Sequence, residues 1–402
     1  MGPVSARRNT PMKPLYKILI AVVAVIVLVL AGYFAWELFT RSEPQPDETQ
    51  GTLGSDLPLA LPDQGAPVVP SVGSDPSPLP EDQPQQSSSL SIERLSDSPV
   101  FFAWEASTPK DVFYITLDGR IFSAREGPDL LLNAQTSSAL NRAESAPDGN
   151  RLLVSFGDPR NPEWRIFDVL DRAWHPLPPG LTQATWDVSG NALFAVSRAD
   201  TGASLVRLDL SKTPPATTTL IADFRVYDIS LLSLSSSSLL ISELPSALTP
   251  GRVWRFDLRT KLISAVIPPA AGQIVTATQD RQAVFVFSSP DRFSVLNRDL
   301  QEVTPIIFST LPQKCGGNAR FVYCFVPRGA AQGLLPDSFL TRTSFSDDSL
   351  YQVDLAAETI EVLSLDTLSS GTSIDGTNVF VSGTLIYFVN SLDRHLYATH
   401  LQ

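Results

Sequence analysis

The residues whose types could do chemistry are few: two cysteines, three histidines and a scatter of carboxylates in a chain of 402 residues. Cys315 and Cys324 flank Gly316 and Gly317, so a hairpin turning between them would set the two thiols face to face. In an oxidising compartment that pair closes a loop of about ten residues and contributes about 2 to 3 kcal/mol, chiefly by restricting the unfolded chain. A redox or thiolate metal centre would need a Cys-x-x-Cys spacing or nearby histidines, and neither is present. His395 and His400 are separated by an odd number of positions, so on a strand they point to opposite faces and cannot grip one metal. His175 stands between Trp174 and Pro176, where a solvated or structural role is expected. Gly-x-Ser-x-Gly, His-Glu-x-x-His, Gly-x-Gly-x-x-Gly, the phosphate-loop Gly-Lys-Ser/Thr and the calcium-loop pattern do not occur. Glycoside hydrolysis would use two carboxylates about 5 to 9.5 Å apart. Glu243, Asp347 and Asp348, which lie in long inserts, are the acids to inspect for such a pair. No catalytic residue, metal or cofactor is assigned.

Composition narrows the classes further. With 43% hydrophobic and 9% aromatic residues the chain has the material for a sizeable folded core. Its formal charge of -12 argues against a nucleic-acid binder, which needs clustered Lys and Arg against phosphate.

The elements that must position these residues fall into four segments. Residues 1–14 read as a cytoplasmic tail and 15–38 as a transmembrane helix. From Leu15 to Trp36 the only charge is Lys17, and at 1.5 Å per residue this run extends about 33 Å, enough to cross a hydrocarbon core. Arg7, Arg8, Lys13 and Lys17 lie at its start and acidic residues follow Arg41, so the N-terminus is expected in the cytoplasm and the rest outside. A cleaved signal is the competing reading, but the apolar run exceeds a usual signal core. Residues 39–88 are rich in Pro, Ser and acids and have no aromatic beyond Phe39, the composition of a disordered tether. From 89 to 402, short apolar runs alternate with Gly, Pro, Asp, Asn and Ser clusters, the signature of an all-β domain.

Those runs repeat. Asp118, Asp168, Asp209, Asp257, Asp299, Asp354 and Asp393 each follow a strand-like segment at intervals averaging about 46 residues, the length of a four-stranded propeller blade. Each Asp is read as shaping a turn, because its carboxylate can accept from backbone amides two residues on. A second element, clearest as Ser145-Ala146-Pro147-Asp148-Gly149-Asn150-Arg151-Leu152-Leu153-Val154, joins an inner strand to an alternating one. Degenerate copies begin at Thr185, Ala277 and Cys315.

The Pro-Asp-Gly hairpin with an apolar-Asp turn some twenty residues on resembles the repeat of WD-repeat-like and TolB-type β-propellers. This resemblance implies a seven-bladed β-propeller over 89–402, with six and eight blades as neighbouring alternatives. The sequence departs from it in having no α/β domain ahead of the propeller and no blade histidine. A membrane helix, an acidic tether and a propeller together look similar to bacterial envelope proteins. The expected role is a binding module or scaffold held to the lipid bilayer through 15–38, engaging an envelope protein or wall component. The alternative is a propeller-type hydrolase or lyase. The longest insert, 328–348 in the sixth blade, is the expected interaction loop through Leu334, Leu335, Phe339 and Phe345. Pro245–Gly251 forms a shorter insert in the fourth.

Overall fold

The apolar runs pair as hairpins in which both faces are covered. Arg151–Phe156 runs antiparallel to Glu163–Asp168 in unbroken register from Arg151↔Asp168 to Phe156↔Glu163, and five of its six residues are buried. Strands with two dry faces carry continuous Val, Leu and Phe rather than strict alternation, because each sheet is sandwiched between two others. The computed structural model describes residues 90–401 apart from 125–127, 138, 200, 201, 227, 330–332, 367, 369 and 370. The tail, span and tether expected over 1–88 therefore lie outside the described residues. Among the described residues no helix is long and apolar enough to cross a membrane.

Seven four-stranded antiparallel sheets form a seven-bladed β-propeller. Blades 1 to 6 occupy 100–133, 140–176, 181–224, 229–271, 274–304 and 315–363, and each runs from an inner to an outer strand in chain order. Blade 7 differs. Its three strands over 376–400 are completed by Ile92–Arg94, which pairs with the last strand in the register Ile92↔Thr399, Glu93↔Ala398 and Arg94↔Tyr397. The first strand thus belongs to the last blade, and blade 1 starts at Val100. Thr399 Oγ1 donates to the Ser91 carbonyl at 2.8 Å, and Ser96 Oγ accepts from the Leu396 amide at 2.9 Å. The blade then ends in an edge strand of only three residues, a poor template for strand addition.

The core is a ring of inter-blade layers. Trp104, Phe113 and Ile115 of blade 1 meet Leu152 and Phe167 of blade 2, and Tyr114 and Phe122 on the opposite face meet Phe380 and Tyr387 of blade 7. Buried indoles stitch neighbours together: Trp104 Nε1 donates to the Gly149 carbonyl at 2.9 Å and Trp186 Nε1 to the Glu144 carbonyl at 3.0 Å. Each bond satisfies a donor that would otherwise be stranded in an apolar layer.

The Asp series needs correction. Asp168, Asp209, Asp257 and Asp354 end the third strand of their blades. There Asp257 Oδ1 accepts from the amides of Arg259 and Thr260 at 2.9 and 2.7 Å, and Asp354 Oδ1 from those of Ala356 and Ala357 at 2.9 and 3.0 Å. In blade 5 that place is taken by Asn297, not Asp299: its Oδ1 accepts from the amides of Asp299 and Gln301. Asp118 and Asp393 lie one turn earlier, between the second and third strands. The seven markers are not equivalent, and blade 7 has no local turn from third to fourth strand because its fourth strand comes from the other end of the domain.

Amide hydrogen bonds hold the Asp257 and Asp354 carboxyls below the usual carboxylate range. A lowered folded pKa favours the native state above the unfolded pKa and loses that advantage as pH falls through the folded value. Acid titration of wild-type protein should therefore show stability declining below about pH 4, with a shallower decline in D257N/D354N. Parallel acid limbs for the two proteins would overturn the assignment.

Candidate functional site

The inner strands surround an axial cavity of about 770 Å3. Blades contribute Phe102, Glu144, Leu231, Thr276, Cys315 and Val379 to its wall, because each innermost strand has a sheet neighbour on one side only.

The blade-6 insert lies over one end. Arg328 to Asp347 joins the second and third strands, as does the shorter blade-4 insert, so both emerge at the same end of the ring. Two bonds hold the insert there: Asp337 Oδ1 accepts from the Ala247 amide at 2.9 Å, and Ser289 Oγ donates to the Leu335 carbonyl. Leu335 and Phe339, on either side of the start of the one-turn helix Asp337–Leu340, pack on Ile274, Phe287 and Leu311. Phe339, Arg342 and Phe345 face the axial cavity. Leu340 and Arg342 also border a second hollow with Leu117, Leu140 and Pro159 of blades 1 and 2. The insert therefore crosses the cavity mouth from blade 6 toward blades 1 and 2.

Beneath it is a buried ion cluster. Lys314 is 2% exposed and spends its three ammonium donors on Ser346 Oγ at 2.8 Å, Asp348 Oδ2 at 2.6 Å and Asp375 Oδ1. Its ammonium also lies 5.7 Å from the Phe339 ring centroid, which ties the insert to the cluster. Asp348 Oδ2 accepts a further bond from the Gly376 amide at 3.0 Å. Burial pushes the Asp348 carboxyl up despite the adjacent Lys314. Both carboxylates have 0% exposure, and their shared bond to Lys314 holds the base of the insert.

A second polar cluster lies toward the other end. Glu144 accepts from Thr185 Oγ1 at 2.7 Å and pairs with Arg142 at 3.1 Å and with Arg281 of blade 5 at 3.3 Å. That contact spans the cavity between non-adjacent blades, so Glu144 and Arg281 brace the ring from inside.

The acids singled out in the sequence do not converge. Glu243, half-buried at the end of the second strand of blade 4, accepts from the Arg252 amide at 2.9 Å, Asp347 pairs with Arg328 at 3.3 Å at the surface, and Asp348 points inward to Lys314. Of the insert residues, Leu334 and Phe345 are exposed, while Leu335 and Phe339 are half-buried against blade 5. Lys314 and Asp375 were not singled out. Their signal is a charged residue immediately ahead of an inner strand, Lys314 before Cys315 and Asp375 before Gly376, where a buried apolar layer starts.

Cys315 and Cys324 are directly paired across the inner hairpin of blade 6 and joined by a disulfide with a Cα separation of 4.2 Å. Replacing both by serine should cost about 2 to 3 kcal/mol, read as a lowered denaturation midpoint for C315S/C324S. An unchanged midpoint would remove the bond from the stability of this hairpin. Among the described residues no group of three or more His, Cys, Asp or Glu is placed to hold a metal.

Fold and cavity define the class: a seven-bladed propeller with one cavity end covered by an insert. No family model matches the sequence, nor does any curated protein. Solved structures with a similar fold include the β-propeller domain of Cps50 (Swd1) from Myceliophthora thermophila, at 10% identity and a TM-score of 0.49, covering 77% of this chain and 100% of that one. TolB from Acinetobacter baumannii is similar at 8% identity and a TM-score of 0.37, over 77% of this chain and 65% of that one. An oligogalacturonate lyase in complex with manganese is similar at 13% identity and a TM-score of 0.46, over 76% of this chain and 97% of that one. At these identities the likeness concerns architecture alone.

Proposed function

We propose that this protein is a membrane-tethered binding module whose propeller, held outside the cytoplasm by the 15–38 segment and the 39–88 tether, engages an envelope protein or wall component. The observation that carries this reading is the condition of the cavity carboxylates. Asp375 is tied to Lys314, Glu144 to Arg142 and Arg281, and Glu105 accepts from Ser382 Oγ. General acid-base chemistry needs a titratable group within reach of a substrate proton. A wall whose acids are already satisfied favours recognition over bond cleavage. Apolar residues at the insert end support the same reading: Leu248 is 77% and Leu334 61% exposed, and Leu244, Leu340 and Phe345 are exposed beside them in sequence. Exposed apolar side chains on loops fixed to a rigid scaffold are what a protein partner buries.

The test is cross-linking of the tagged full-length protein in its own cells. An envelope protein captured reproducibly, and lost when Leu334 and Phe345 are replaced by serine, is the expected result. Glycan fragments with no protein partner would overturn the protein-partner arm and favour wall binding or the hydrolase or lyase alternative. Limited proteolysis of membranes checks the tether: a stable fragment starting between Pro44 and Ser98 is expected, whereas cleavage spread through 100–400 would refute a protease-resistant ring on a flexible stalk.

A further inference from the structure

Every charged residue lining the axial cavity has a partner except two. Glu105, Arg142, Glu144, Arg281 and Asp375 are each bonded. Arg342 and Arg394 have no side-chain hydrogen bond or ion pair among the described residues, although both face the same cavity. Arg342 comes from the blade-6 insert and Arg394 from the turn between the second and third strands of blade 7, so both stand at the covered end. They are near enough for the charge of Arg342 to weigh on Arg394, and burial lowers the pKa of both guanidiniums. Asp375 partly offsets Arg394 but is already held by Lys314. In a chain of net charge -12, two unpaired arginines in one cavity are a local reversal of sign. Arg394 is half-buried and Arg342 is open to solvent at the mouth, and a planar fork of donors matches a carboxylate bidentately.

The surroundings narrow the anion. Phe101, Phe339, Leu340, Phe345 and Val389 line the same cavity, so a ligand whose carboxylate sits between the arginines meets apolar wall on its other sides. The axis-facing edges of the inner strands carry no neighbouring strand, which leaves main-chain groups able to bond an extended peptide. We infer that Arg342 and Arg394 form a receptor for the free C-terminal carboxylate of a peptide with an apolar last residue, inserted at the covered mouth of the cavity. This inference rests on the protein-binding reading above and specifies which part of the partner enters.

The experiment is a titration of full-length protein in detergent with N-acetyl-phenylalanine, N-acetyl-phenylalaninamide and octanoate, followed by calorimetry. The acid should bind at least about tenfold more tightly than the amide, and R342Q and R394Q should each weaken it about tenfold, as expected for loss of a charge-assisted hydrogen bond. R165Q, on the Glu163–Arg165 pair of blade 2, should bind as wild type does, and matching melting curves should show that all variants are folded. Equal affinity for acid and amide, or no binding of either, overturns the inference. Octanoate binding more tightly than N-acetyl-phenylalanine assigns the site to fatty acids and overturns the peptide assignment. The titration uses no cellular partner, so a flat titration removes this site alone, and failure of the cross-linking test removes the protein-binding reading alone.

Discussion

Replacing Lys314 by methionine should destabilise the propeller by about 3 to 5 kcal/mol, the range for breaking a buried ion pair by removing one member. The ammonium is the shared partner of Asp348 and Asp375, all three essentially inaccessible to solvent. Methionine leaves two carboxylates facing each other in a dry layer. Burial already pushes the Asp348 carboxyl up, and loss of the ammonium in K314M removes what opposes that shift. Its folded pKa then lies further above the unfolded value, so the penalty is full at neutral pH and relieved as pH falls through the raised value. The deficit of K314M against wild type should therefore shrink between pH 7 and pH 4. The triple change K314M/D348N/D375N removes the charges and keeps acceptor oxygens for the Gly376 and Ser346 amides, and should recover at least half of the loss. Urea denaturation of the three proteins at several pH values measures this. A K314M midpoint equal to wild type, or a deficit that grows on acidification, would show that the cluster carries no such stress.

The second large effect is expected at Gly149, and Gly157 provides its control. Both glycines have left-handed backbone, with φ of 68° and 81°. Alanine in that region costs about 1 to 2 kcal/mol at either place. Around Gly157 there is open space, whereas a Cβ on Gly149 would stand 1.9 Å from the Glu105 carbonyl oxygen and 2.6 Å from the Ala106 Cα. Those atoms are backbone of the neighbouring blade and cannot swing aside as a side chain would. Overpacking adds about 1 to 3 kcal/mol, and the Trp104–Gly149 bond across the same interface is put at risk. G149A should therefore be less stable than G157A by at least that increment. Equal midpoints would mean that the blade 1 to blade 2 contact yields easily, and that Gly149 matters only for its turn.

These two sites mark how far the sequence could be read. The Pro147-Asp148-Gly149 turn is legible because a local hairpin needs those residues whatever surrounds it. That the glycine is also where two blades touch is a long-range fact with no local signature. The disulfide is legible for the same reason as the turn, since Cys315 and Cys324 belong to one hairpin. The Asp spacing led to seven blades although only four of its seven positions are equivalent, because strand length and turn length are nearly constant within a blade. The spacing therefore measures the period even when the marker moves one turn along.

The cavity was not legible. Glu243, Asp347 and Asp348 look alike in sequence as acids in inserts, and the fold ties the first to a backbone amide at a strand end, leaves the second at the surface and buries the third against a lysine. Which way an insert folds depends on what its apolar residues find, here the Ile274, Phe287 and Leu311 surface of a different blade. Arg342 and Arg394 are separated by a whole blade of sequence and share a cavity only after the ring closes. Closure itself depends on Ile92–Arg94 pairing with Leu396–His400, a contact across some 300 residues that no local pattern encodes. By itself the sequence determined what is repeated within tens of residues: all-β architecture, blade length, blade number, the inner-hairpin disulfide. The tertiary structure alone decided what a ring brings together from distant blades, because burial, charge pairing and cavity shape are set by neighbours in space rather than along the chain.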